Sequence, residues 1–127
     1  MAINTDQDIV TARQKGRALA TGLGFGTGDA TLIATAISEL ARNIVSYARR
    51  GEITLKIVDG PDRQGILVIA SDDGPGIPDI RQAMRDGFST SGSLGLGLPG
   101  VRRLMDEFEI TSQPGSGTRV AVKKWKQ

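Results

Sequence analysis

The stretch that decides the fold is residues 72–100, which open with Asp-Asp-Gly-Pro-Gly-Ile-Pro and close, after a short spacer, with Ser-Gly-Ser-Leu-Gly-Leu-Gly-Leu-Pro-Gly. Glycine lacks Cβ and tolerates positive φ, so its backbone can approach a ligand closely and direct N–H groups at an anion. The second glycine cluster leads into residues 101–108, whose apolar side chains recur at helical spacing. A glycine-rich turn at a helix N-terminus favours phosphate, because unpaired N–H groups and the helix dipole both attract negative charge. The stretch therefore predicts a nucleotide site.

Length and composition narrow the classes of function. The chain has 127 residues, which suits a single domain spanning 1–127. It contains no Cys and no His, which excludes disulfide scaffolds, thiolate or imidazole zinc sites, and Ser-His-Asp or Cys-His catalysis. The net charge of +2 gives no reason to expect nucleic acid or a membrane surface as a partner. Because no long apolar run or signal-peptide pattern is present, we expect a soluble, cytoplasmic protein.

Hydrophobic periodicity predicts helices and strands in alternating pairs. Helices are predicted over 7–21, 30–49, 78–86 and 97–107, and strands over 53–58, 66–70, 108–112 and 118–122. Residues 1–5 are either a short edge strand or a loose end. Turn residues join the strands into two hairpins. We therefore expect an α+β fold, a two-layer sandwich in which one mixed β-sheet is covered on one face by helices.

Glu39 and Asn43 are the first residues that could carry chemistry. Their i, i+4 spacing places them on the same side of the predicted helix 30–49, at the flank of its apolar stripe. A carboxylate there can accept a proton or orient a nucleophile, and an amide oxygen can ligate Mg²⁺. An exposed helical pair with no such role is the alternative, and the pair by itself does not decide between them.

The glycine motifs are individually ambiguous. Asp72-Asp73-Gly74-Pro75-Gly76 follows a predicted strand, where a carboxylate can accept from an exocyclic amine such as adenine N6, but it also suits an ordinary β-turn. Gly95-Leu96-Gly97-Leu98 can cradle phosphate or merely lead into a helix, and Gly117-Thr118 suits a hairpin turn. No Gly-Lys-Ser/Thr follows either cluster and no βαβ unit surrounds them, so neither a Walker loop nor a Rossmann fingerprint is present.

Together, in this order and spacing, the four motifs resemble the four boxes of the GHKL ATPase superfamily, which includes gyrase, histidine kinases and the anti-sigma kinases. Glu39-Leu-Ala-Arg-Asn43 matches the N box, Asp72-x-Gly74-x-Gly76 the first glycine box, Gly95-x-Gly97-Leu98 the second, and Gly117-Thr118 the last. The resemblance covers nearly the whole chain. Within the superfamily, residues 86–108 resemble the anti-sigma-type serine/threonine kinases that act as switch kinases of the bacterial stressosome.

The resemblance implies a role for each matching residue around the adenine base of the nucleotide. Asp72 is expected to bind the adenine amino group of ATP. Thr118 is expected to support it through its hydroxyl or a water molecule. Gly74, Gly76 and Ile77 are expected to line the base.

At the phosphate end, the resemblance implies that Asn43 holds Mg²⁺ between the phosphates. Glu39 is expected to be the general base towards the incoming hydroxyl. Gly95, Gly97 and Leu98 are expected to offer backbone N–H groups to the β- and γ-phosphates. In phosphoryl transfer, the protein contributes mainly by positioning the reacting groups and by neutralising the charge of the phosphates.

The resemblance also implies partners. The substrates would be serine or threonine residues on STAS-domain scaffold proteins, and the released kinase would activate a PP2C-type phosphatase in the cascade that frees a stress sigma factor. Residues 87–94 would form a short ATP lid, which we expect to be poorly ordered without nucleotide. Two alternatives share the motifs: an ATP-gated binding module and an anti-sigma factor that binds its partner directly. Glu39 favours the kinase, because a pure binder needs no carboxylate beside a metal ligand.

Overall fold

The computed structural model describes residues 1–74, 97–113 and 115–127. In chain order, its elements are β1 (Ala2–Ile3), α1 (Asp6–Gly22), α2 (Thr27–Asn43), a π-helix (Ile44–Ala48), β2 (Gly51–Asp59), β3 (Gln64–Asp72), α3 (Gly97–Leu104), β4 (Glu107–Gln113) and β5 (Gly117–Trp125). The predicted α+β class is confirmed. The predicted helix 78–86 and the predicted lid 87–94 lie outside the described residues.

The described strands form one five-stranded sheet in the order β1-β2-β3-β5-β4. Every pairing between neighbouring strands is antiparallel, so the expectation of a mixed sheet was wrong in this detail. β4 does run parallel to β3, as a strand that follows a helical connection often does. The two never pair, however, because β5 lies between them and is antiparallel to both.

The first helix begins with a reciprocal cap. The Thr5 hydroxyl accepts from the Asp8 N–H at 3.3 Å, and the Asp8 carboxylate accepts from the Thr5 N–H at 3.0 Å and the Asn4 N–H at 2.8 Å. The backbone hydrogen bonds from Asn4 and Thr5 lower the pKa of Asp8, because they stabilise its charged form. This cap fixes the start of α1 close to the predicted position.

The second helix is the centre of the helical layer. Its residues Ala30, Ile33, Ile37 and Leu40 are buried in the core, as the apolar stripe predicts. The predicted helix 30–49 is α-helical only to Asn43, after which the chain continues as the π-helix Ile44–Ala48. Single π-helical turns inside helices are frequent at functional sites.

The strands exceed their predictions at both ends, and α3 is shorter than predicted. The Lys124 ammonium donates to the Leu104 carbonyl at 2.9 Å, and the Asp106 N–H donates to the Lys123 carbonyl at 2.9 Å. The chain is therefore already pairing with β5 where the periodicity still favours a helix up to residue 107. Tertiary contacts, absent from any local pattern, decide this boundary.

The core lies between the sheet and the helices. The fully buried large side chains come from both layers: Ile3, Ile33, Ile37, Leu40, Ile44, Ile53, Ile66, Val68, Val101 and Val122. Inward residues alternate with outward ones along β3 and β5, as the two-residue period of a strand requires. In the part of the chain that the structure describes, no helix is long and apolar enough to cross a membrane.

The residue after the π-helix is strained, which makes a stability prediction. Arg49 has φ 70° and ψ −32°, a conformation that non-glycine residues rarely adopt. We expect Arg49→Gly to raise the free energy of unfolding by about 1 kcal/mol, because relief of the strain exceeds the added flexibility of glycine. Arg50→Gly is the control, since Arg50 has no positive φ, and it should lower stability by about 0.5–1 kcal/mol. Equal losses in the two variants, measured by urea unfolding, would contradict the prediction.

Candidate nucleotide-binding site

One row of paired residues crosses the sheet at the end where β3 stops. Gly51 pairs with Asp72, Asp72 with Thr118, and Thr118 with Ser112. Because side chains alternate along each strand, this row faces the same side as Ala70 and the other core residues. Asp72, Thr118 and Ser112 are each half-buried. The carboxylate and the two hydroxyls therefore lie side by side on the helix-facing surface of the sheet.

The Asp72 carboxylate is oriented by its own loop. Its Oδ1 accepts from the Gly74 N–H at 2.9 Å, which is the geometry of an Asx turn. A Cβ at Gly74 would lie 2.6 Å from the Cβ of Ala48, in the π-helix. The first glycine motif thus packs directly on the end of the helix that begins with α2, and only glycine fits this approach.

Gly117 has a comparable role on β5. Its φ is +92°, and a Cβ there would collide with the carbonyl group of Asp72 on the neighbouring strand. Glycine therefore allows β5 to approach β3 closely at the position before Thr118. A turn does join β4 to β5 as predicted, but Gly117 and Thr118 are the first residues of β5, where the glycine sets the spacing beside Asp72.

Glu39 meets the start of α3. It is 9% exposed, and its Oε2 accepts from the Gly97 N–H at 3.3 Å. The alternative of an exposed helical pair is therefore wrong for Glu39. A buried carboxylate is tolerated where a donor compensates for the loss of water, and here the donor is the first N–H of a helix. This contact joins the N-box motif to the second glycine motif, far apart in sequence.

Asn43 and Leu98 complete the described part of the site. Asn43 is half-buried and is the last residue of α2, one helical turn beyond Glu39. Leu98 follows Gly97 and is buried in the core. Among the remaining predicted residues, Gly76, Ile77 and Gly95 lie outside the described residues. No cluster of three or more acidic side chains that could hold a metal ion by itself occurs in the described ranges.

Ser112 adjoins the candidate site, and the sequence analysis did not identify it. Its hydroxyl lies 2.9 Å from the Thr118 hydroxyl and donates to the Gly117 carbonyl at 3.2 Å. A signal was present in the strand itself, because Phe108 and Ile110 occupy the preceding inward positions of β4 and Ser112 breaks that apolar pattern. The row across the sheet becomes visible only once β4 is known to pair with β5.

Comparison with known proteins agrees with this arrangement. Residues 28–127 match the family of histidine kinase-, DNA gyrase B- and HSP90-like ATPases, a range that includes every site residue described above. The chain belongs to this ATPase family. Membership of an ATPase family implies the use of ATP.

The sequence relatives include a serine/threonine-protein kinase and an anti-sigma factor. The chain is 58% identical over 123 residues to the serine/threonine-protein kinase RsbT of Bacillus subtilis (strain 168), which covers 97% of this chain and 92% of that one. It is 33% identical over 101 residues to the anti-sigma F factor of Clostridium novyi (strain NT), with coverage of 76% and 71%. Both relatives match over most of their own length.

Solved structures of the ATPase family share the fold. The sensor histidine kinase MprB from a mycobacterium matches with a TM-score of 0.59 at 16% identity, over 100% of this chain and 97% of the other. The catalytic domain of the histidine kinase ThkA matches with a TM-score of 0.56 at 17% identity, over 99% and 95%. At such low sequence identities, the structural similarity shows a shared fold alone.

The close approach at Gly117 predicts a difference between two alanine variants. Gly115→Ala should cost about 1–2 kcal/mol from backbone strain, because its φ is +80° but nothing lies near its missing Cβ. Gly117→Ala adds the collision with Asp72 and should cost roughly 3 kcal/mol or more. Urea unfolding of both variants measures the difference, and equal losses would show that the close approach of β5 to β3 does not require glycine at this position.

Proposed function

We propose that this member of the ATPase family is an ATP-dependent protein serine/threonine kinase that also acts as a partner-switching regulator. The observation that carries the proposal is the contact between the Glu39 carboxylate and the Gly97 N–H. It puts a group able to accept a proton beside the helix terminus suited to phosphate. The high identity to a serine/threonine-protein kinase supports the same reading.

In this proposal, one group of residues binds the adenine base and a second group binds the phosphates. At the base end, Asp72 and Thr118 receive the adenine amino group, with Gly74 beneath the base; Gly76 and Ile77 are assigned to the same end from sequence. At the phosphate end, the N–H groups of Gly97 and Leu98, together with Gly95, stabilise phosphate charge. The sheet row and the start of α3 are held together by α2 and the π-helix that follows it.

Mg²⁺ fits the donor chemistry of the phosphate end. The amide oxygen of Asn43 is a hard oxygen ligand at the end of α2, and Mg²⁺ is commonly bound by one or two protein oxygens together with substrate phosphates. When bound, Mg²⁺ supplies charge neutralisation. The part of this chain is to place the Asn43 oxygen one turn from Glu39 and to orient the phosphates on backbone N–H groups.

In the proposed reaction, a serine or threonine hydroxyl of a protein substrate attacks the γ-phosphorus of ATP. A new phosphorus–oxygen bond forms as the bond to the bridging oxygen of ADP breaks, and the hydroxyl proton passes to the Glu39 carboxylate. Glu39 must leave the Gly97 N–H, at least in part, to accept that proton. The same step would release the N–H for phosphate.

For the partners, we extend the proposal from the resemblance to stressosome switch kinases. The substrates are STAS-domain scaffold proteins, and the released kinase activates a PP2C-type phosphatase in the cytoplasm. We assign both activities to one domain spanning 1–127, with neither nucleic acid nor a membrane as a partner. Transfer of labelled γ-phosphate to purified STAS proteins, with and without Mg²⁺, tests the substrate class directly.

A second candidate function is direct binding of a sigma factor. The similarity to an anti-sigma F factor over 76% of the chain favours it. Pull-down with a sigma factor, a STAS protein and a PP2C-type phosphatase, each with ATP and with ADP, separates the two functions. Capture of the sigma factor alone would support the anti-sigma function and count against the kinase cascade.

Glu39 provides the test of phosphoryl transfer. Glu39→Gln keeps an oxygen that can accept from the Gly97 N–H but lacks a basic carboxylate, so transfer should fall by about 10²–10⁴-fold. Glu39→Ala should abolish transfer to a similar extent, while ATP affinity stays within about tenfold in both variants. Glu109→Ala is the control, because Glu109 is an exposed carboxylate on β4. Near wild-type transfer by either Glu39 variant would mean that Glu39 is not the base.

Asp72 provides the test of the base end. Asp72→Asn should weaken ATP binding by roughly 1–3 kcal/mol, because the amide oxygen would stay with the Gly74 N–H and the amide NH2, a donor, would then face the adenine amino group. Asp73→Asn is a matched control, since the neighbouring carboxylate is exposed and follows the end of β3. Isothermal titration calorimetry measures both. Unchanged affinity in Asp72→Asn, or an equal loss in Asp73→Asn, would remove the adenine contact from the proposal.

A further inference from the structure

The two hydroxyls beside Asp72 have a defined direction of hydrogen bonding. Ser112 and Thr118 are Cα partners on β4 and β5, and their Oγ atoms are 2.9 Å apart. By itself this distance allows either hydroxyl to donate. Ser112 also lies 3.2 Å from the Gly117 carbonyl oxygen, which can only accept.

A hydroxyl carries one proton, and this constraint orders the network. Since Ser112 donates its proton to the Gly117 carbonyl, the proton between the two hydroxyls must come from Thr118. Thr118 then has only lone pairs to offer any other group. The Asp72 carboxylate beside it is also an acceptor when ionised, so the end of the row presents acceptors from two adjacent strands.

We propose that Ser112 is a positioning residue that holds Thr118 as a hydrogen-bond acceptor and thereby makes the site select a purine with a 6-amino group over one with a 6-keto group. This inference rests on the proposed function, which assigns the base to Asp72 and Thr118. The 6-amino group of adenine donates hydrogen bonds, which two acceptors can receive. The 6-keto oxygen of hypoxanthine is an acceptor and meets the lone pairs of Thr118 instead.

Three features of the fold make the arrangement rigid. Ser112 and Thr118 are half-buried and pair with each other, and Thr118 is paired on its other side with Asp72 of β3. The Gly117 carbonyl, which accepts the Ser112 proton, belongs to the residue directly before Thr118. The close approach of Gly117 to Asp72 fixes the position of this carbonyl. Asp72 is itself oriented by the Gly74 N–H at 2.9 Å. Loss of the Ser112 hydroxyl would leave Thr118 free to rotate and to donate.

The experiment compares ATP with inosine triphosphate, which differs at the 6-position and at the adjacent ring nitrogen. Binding of both nucleotides is measured by calorimetry for the wild-type chain, Ser112→Ala and Ser112→Thr. In Ser112→Ala we expect the preference for ATP to fall by about three- to tenfold, the range of one net hydrogen bond. Ser112→Thr retains a hydroxyl and should restore most of the preference. In a phosphotransfer assay with Ser112→Ala, KM for ATP should rise with little change in kcat.

Three results would overturn the inference. An equal loss of affinity for both nucleotides in Ser112→Ala would mean that Ser112 only supports the strand, as would a drop in preference that Ser112→Thr does not restore. An unchanged preference in Ser112→Ala would show that Thr118 is not ordered by Ser112. Ser116→Ala, which removes an exposed hydroxyl in the same hairpin, is the control and should leave the preference unchanged. Failure of the wild-type chain to bind ATP would instead refute the proposed function.

Discussion

The pairing of β5 between β3 and β4 is the constraint on which the site depends. It aligns Asp72, Thr118 and Ser112 in one row, although they come from three strands. The alignment requires β5 to come very close to β3 at Gly117, where a Cβ would collide with the Asp72 carbonyl group. A single glycine therefore determines whether the polar row exists. The hairpin turn that precedes it is a consequence of the pairing between β4 and β5.

The helical layer supplies the other half of the site through α2. This helix is held to the sheet by its buried apolar residues, and its flank carries Glu39 to the first N–H of α3. The π-helix that follows widens the turn at the point where Gly74 packs on Ala48. The proposed base end and the proposed phosphate end are thus connected through one continuous helical segment. This rigid connection suits a reaction in which the protein mainly positions groups.

Much of the fold and part of the site could be predicted from the sequence. The helices and strands follow from periodicity and turn chemistry. Motif spacing singled out Glu39 and Gly97, which are in contact, and Asp72 and Thr118, which pair across the sheet. The burial of Glu39, the antiparallel nature of the sheet and the contact of Ser112 with Thr118 could not be predicted in the same way. Each depends on which elements are neighbours in space. Ser112, on a strand that alternates regularly, looks like any polar residue until its partner on β5 is known.

By itself, the amino-acid sequence determined which segments are helical or extended, which residue types are available for chemistry, and the family to which the chain belongs. Local propensity, the spacing of apolar residues and the lack of Cys and His are sufficient for these conclusions, because they require no knowledge of distant contacts. Only the tertiary structure decided where α3 ends, which strand separates β3 from β4, and which donor meets the Glu39 carboxylate. These features depend on long-range pairing and packing, in which residues far apart in the chain compete for the same hydrogen bonds and the same space.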